Sequence, residues 1–79
     1  MNNNQICESA EKYLIKEMIN SGFYSIKINL LSIGCINKQW ISEAHITYNQ
    51  LSNGIEETIE QCLKGKLIKE EWIFSKGVI

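Results

Sequence analysis

Residues 23–34, FYSIKINLLSIG, alternate their side chains with a period of two, and no proline interrupts this stretch or any other. β-branched residues at that spacing predict a strand. Tyr24, Ile26, Ile28 and Leu30 fall on one side. Phe23, Ser25, Lys27, Asn29, Leu31 and Ile33 fall on the other. Apolar residues on both sides suit a central strand. Gly34 to Asn37 supplies a turn.

A return strand follows in KQWISEAHITYN, residues 38–49. Trp40, Ser42, Ala44, Ile46 and Tyr48 share one face; Ile41, Glu43, His45 and Thr47 share the other. The single histidine, His45, therefore belongs to the more polar face, two residues from Glu43 and outside the core.

Helical spacing precedes the strands. Ile6, Cys7, Ala10, Leu14 and Met18 form one stripe, ended by Gly22, a natural left-handed terminator. Ile15 and Ile19 lie off that stripe and form an apolar flank. Residues 1–4 read as a flexible polar tail. A second helix is expected from Asn53, which can cap with Glu56 as in a capping box. Its stripe would be Ile55, Ile59, Cys62 and Leu63, and Gly65 would end it. Residues 66–74, KLIKEEWIF, read as a third strand because Trp72, Ile73 and Phe74 are strand formers.

The expected fold is thus α+β in the order α-β-β-α-β. A right-handed crossover would give a three-stranded antiparallel sheet of order 2-1-3, with two helices packed on one face. The strand from Trp40 to Tyr48 would then be an edge. At 79 residues the chain is a single domain, 1–79, with one small core.

Composition narrows the function. All eight basic residues are lysine, all nine acidic ones are glutamate, and the net charge is −1. The basic footprint of a dedicated nucleic-acid binder is missing. No apolar run approaches the roughly 18 residues of a membrane helix, and the first residues lack the pattern of a signal peptide, so the expected location is the cytoplasm. The abundance of Ile, Asn and Lys, all with AT-rich codons, fits an AT-rich bacterial or phage genome, and with the small size it suits a phage- or mobile-element-encoded antagonist of a host protein. Cys7, Cys35 and Cys62 are odd in number and have no CxxC spacing, which argues against a disulfide framework.

No residue is assigned to catalysis, to a cofactor or to a metal. Isolated glycines form no phosphate loop. Glu70 and Glu71 would point to opposite faces of a strand. The expected function is a small, non-catalytic protein-binding module that acts as an inhibitor or adaptor, with a homodimer as a natural accompaniment. The residues assigned to partner binding are Phe23, Leu31, Ile33, Ile41, Glu43 and His45 on the uncovered sheet face, with Ile15 and Ile19 on the helix flank. One rival is a nucleic-acid-binding regulator using Lys64, Lys66, Lys69 and Trp72. A second rival is a small enzyme or metal site at His45, with Glu43 or the cysteines as partners.

Overall fold

The computed structural model describes residues 2–76. One helix, α1 (Asn3–Asn20), is followed by four strands: β1 (Tyr24–Ile36), β2 (Gln39–Ser52), β3 (Ile55–Ile68) and β4 (Glu71–Lys76). The strands form one antiparallel sheet in the order β1-β2-β3-β4. The helix lies on one face of it. No described helix is long and apolar enough to cross a membrane.

The start of α1 is set by local chemistry. The Asn2 side chain accepts from the Gln5 backbone N–H at 2.9 Å, and the Gln5 side chain accepts from the Asn2 N–H at 3.2 Å. This reciprocal cap satisfies two otherwise orphaned donors. Residues 2–4 therefore belong to the helix start and are not a polar tail; Met1 lies outside the described residues. The stripe Ile6, Ala10, Leu14 and Met18 is buried, as its spacing predicts. Gly22, at φ +89°, takes the left-handed conformation that stops the helix.

The expected second helix is a strand, and the order 2-1-3 with two helices is replaced by a meander with one. The reason lies in the turns. Asn53 (φ 52°) and Gly54 (φ 78°) both adopt positive φ, the requirement of a two-residue type I′ hairpin, for which Asn-Gly is the preferred pair. The same turn recurs at Asn37-Lys38 and at Lys69-Glu70. Two-residue loops force each strand to pair with its predecessor, so there is no crossover. The segment 66–74 is divided accordingly. Lys66–Ile68 finishes β3, Lys69-Glu70 turns, and Glu71 opens β4.

Lys69 and Glu70 hold left-handed φ values of 49° and 67°, which cost a non-glycine residue roughly 1–2 kcal/mol. Replacing the pair with Asn-Gly is expected to stabilise the protein by about 1 kcal/mol. Thermal unfolding would then shift upward by roughly 4–8 °C. The Tyr13 hydroxyl donates to the Glu70 carbonyl at 3.4 Å, a backbone contact that the replacement retains.

The core lies between α1 and the sheet. Leu14 and Met18 pack with Ala44, Ile46, Tyr48 and Leu63, while Ile6 and Ala10 pack with Trp72. Burying side chains such as Leu14 and Ile46 contributes roughly 1.5–3 kcal/mol each. The buried Ser42 hydroxyl donates to the Ser32 carbonyl at 3.0 Å, so it carries no unmet polar cost.

Two register shifts interrupt the β1–β2 ladder, one between Tyr24 and Lys27 and one between Ile28 and Leu30. The second changes which side chains face the helix. Ile28 lies opposite Ile46, and Leu31 lies opposite Ala44. Both Ile46 and Ala44 are core residues. An extra residue reverses the alternation, so Ile26, Ile28, Leu31 and Ile33 all pack toward α1. Strand β1 is an edge and β2 is interior, the reverse of the expected arrangement. Among the described residues, the half of β3 from Ile55 to Cys62 also has no strand along its second edge, since the described part of β4 pairs from Leu63 onward. Glu56, Glu57 and Glu60 stand along that half, and their charge discourages edge-to-edge association.

Candidate functional site

The sheet face turned away from α1 carries the candidate site. Antiparallel register fixes its rows. Leu30, His45 and Cys62 stand side by side across β1, β2 and β3. The next row is Ser32, Glu43, Lys64 and Ser75. The row after that is Gly34, Ile41, Lys66 and Ile73. Ile68 lies beyond it.

Around Ile41 the face is hollow, with a volume of about 590 Å³ bordered by Ile68, Ile73 and Lys66. Gly34, the cross-strand partner of Ile41, adds no side chain to its floor. Ile73 is 55% exposed and Ile68 44%. Exposed β-branched residues around a depression make a surface shaped to receive apolar side chains.

One row away, three chemically active groups meet. The Glu43 carboxylate oxygen Oε1 lies 3.3 Å from His45 Nε2 and 3.5 Å from Cys62 Sγ. Cys62 Sγ lies 3.9 Å from the same His45 nitrogen. Glu43 and His45 share a face because they are two residues apart on β2. Cys62 joins them because it is the direct cross-strand partner of His45. Burial pushes the Cys62 thiol above its usual value. The hydrogen bond to Glu43 and that carboxylate's charge push the same way, against a pull from Lys64. Nearby, Asn29 Nδ2 donates to Thr47 Oγ1 at 2.7 Å.

This arrangement is ill suited to a cysteine nucleophile. A catalytic histidine takes a proton on one ring nitrogen while a carboxylate orients it through the other. Here both Sγ and Oε1 approach Nε2. A reactive cysteine also needs a lowered thiol value, and that of Cys62 is raised. The three donors instead converge on a common point, as ligands of an ion do.

The structure brings Ile41, Glu43 and His45 together on the open face. It does not bring Leu31 and Ile33 there, because the bulge near Asn29 turns them toward α1. Phe23 packs on Tyr48, ring centroids 4.5 Å apart, on the covered side. On the helix, Ile15 is half-buried and Ile19 is 59% exposed, both away from the open face. Lys64 and Lys66 are exposed on the open face, but Trp72 is buried under α1 and offers no stacking surface beside them.

Sequence reading did not place Gly34, Ile68 and Ile73 on this face, and it named Cys62 only among the cysteines that could accompany His45. The signal for Cys62 was present in the Asn53-Gly54 turn. Residues equally distant from a two-residue turn face each other, and His45 and Cys62 are such a pair.

Compared with known proteins, the chain matches no family model, no curated protein and no solved structure at a significant level.

Proposed function

We propose that this chain is a non-catalytic protein-binding module that works as an inhibitor or adaptor by laying its open sheet face on a partner protein. The observation that carries the reading is the hollow around Ile41, with Ile68 and Ile73 exposed at its border. Lys64, Lys66 and Glu43 surround this apolar centre, the core-and-rim pattern of protein interfaces. The net charge of −1 and the burial of Trp72 favour a protein over a nucleic acid.

The test is a double substitution, Ile68→Lys with Ile73→Lys. Both side chains are well exposed, so the fold should tolerate it, with a cost near the roughly 0.5 kcal/mol of ordinary surface changes. Wild-type protein immobilised in a lysate of the encoding organism is expected to retain a defined partner. The double variant should lose it, since anchors at an interface centre each contribute on the order of 2 kcal/mol. Equal retention by both proteins, or nothing specific to the wild type, would overturn the reading. Light scattering of both proteins distinguishes a second copy of the chain as the occupant.

A further inference from the structure

We propose that Glu43, His45 and Cys62 form a binding site for one divalent, sulfur-accepting metal ion of the zinc class. The proposal is independent of the partner-binding reading and rests on the geometry of three donors.

A metal holding nitrogen and oxygen at roughly 2.0 Å and sulfur at roughly 2.3 Å in tetrahedral array sets those ligands at fixed separations. Nitrogen and oxygen then lie about 3.3 Å apart, and sulfur about 3.5 Å from either. The observed separations are 3.3 Å for Nε2 to Oε1, 3.5 Å for Sγ to Oε1 and 3.9 Å for Sγ to Nε2. Two of the three edges already match. The third closes by a few tenths of an ångström, which a small side-chain torsion supplies. No backbone movement is required.

The strands hold the donors in place before any ion arrives. Glu43 and His45 lie in β2, which is paired on both sides at these positions. Cys62 is hydrogen-bonded into the β2–β3 ladder opposite His45 and is itself buried. Sites built on such elements are more precise than sites on loops.

The donor set selects the ion. A thiolate, an imidazole and a carboxylate suit zinc and its tetrahedral stand-in cobalt(II), whereas magnesium and calcium prefer oxygen alone. Binding displaces the proton of the Cys62 thiol to solvent and forms the sulfur–metal bond, with no oxidation or reduction. Glu43 and His45 are about half exposed, 47% and 48% at their side chains. The outward position of the tetrahedron therefore faces solvent, open to water or to a side chain of another molecule.

The test is a cobalt(II) titration of the whole protein under reducing conditions. A thiolate-to-cobalt charge-transfer band and tetrahedral ligand-field bands should saturate at one equivalent. Zinc should displace the cobalt, and excess magnesium should not. Cys62→Ser should abolish the charge-transfer band. His45→Ala and Glu43→Gln should each weaken binding by more than the roughly tenfold that loss of an outer-shell partner brings. The double variant Cys7→Ser, Cys35→Ser should bind as wild type does. Far-UV circular dichroism checks the fold. Should Cys62→Ser unfold, His45→Ala decides, because that side chain lies outside the core. No charge-transfer band at millimolar cobalt, a band that survives Cys62→Ser, unweakened binding in His45→Ala, or a band that disappears with Cys7 and Cys35 would each overturn the proposal.

Discussion

Replacing Trp72 with alanine is expected to lower the unfolding free energy by about 3–5 kcal/mol, the largest single effect in the molecule. Trp72 is 4% exposed and joins the first half of α1, through Ile6 and Ala10, to the sheet. Its ring stacks on Phe74 with centroids 5.9 Å apart. Strand β4 has six residues and pairs on one side only, so much of its hold on the fold comes from these two rings. A domain of 79 residues has a total stability of roughly 4–12 kcal/mol. Trp72→Ala should therefore bring the protein close to its unfolding threshold, read as a large drop in the urea midpoint with an unchanged slope. Trp72→Phe is the informative control. The Nε1 donor of Trp72 is buried and has no hydrogen-bond partner among the described residues. The phenyl ring removes that unmet donor while retaining much of the packing, and should cost less than about 1.5 kcal/mol. A loss below 1 kcal/mol in Trp72→Ala would mean that α1 does not rest on β4 as described.

Gly65→Val is expected to destabilise by about 3 kcal/mol, at the upper end for overpacked sites. Gly65 sits opposite Phe74 in the β3–β4 ladder. A Cβ there would lie 2.6 and 2.8 Å from two carbons of the Phe74 ring, against roughly 3.5–4.0 Å for comfortable carbon contacts. The ring cannot simply swing away, because it packs against both core clusters and stacks on Trp72. The glycine is thus required by the ring above it and not by a turn. A double-mutant cycle tests this directly. In a Phe74→Ala background the obstruction is gone, and Gly65→Ala should become neutral or mildly stabilising, since alanine restricts the unfolded chain more than glycine does. An equal cost of Gly65→Ala in both backgrounds would show that the contact is not what excludes a side chain.

Gly65 also shows how far residues alone can be read. A glycine after an apolar stripe looks like a helix terminator. Its position beneath Phe74 depends on a pairing between strands that no local pattern reveals. The same ambiguity governs all of β3. Ile55, Ile59 and Leu63 are four residues apart, a spacing that keeps side chains on one side of a strand and nearly on one side of a helix. Asn53 followed by Gly54 can cap a helix or turn a hairpin. The choice was made by β2, which has 14 residues and needs a backbone partner along its second edge. A helix offers side chains there but no ladder of hydrogen bonds. Once β3 is a strand, Cys62 lies opposite His45, and the metal-ligand geometry follows from register.

The sequence by itself determined the first helix, its buried stripe from Ile6 to Met18, the strand character of most of residues 23–34 and 38–49, and the outward placement of Glu43 and His45. These are periodic patterns and caps, whose causes lie within a few residues of their effects. Only the tertiary structure decided the fate of residues 55–68, the sheet order, the turning of Leu31 and Ile33 toward the helix, and the meeting of Glu43, His45 and Cys62. Each of these depends on which strand lies beside which, and hydrogen bonding between segments far apart in the chain settles that question.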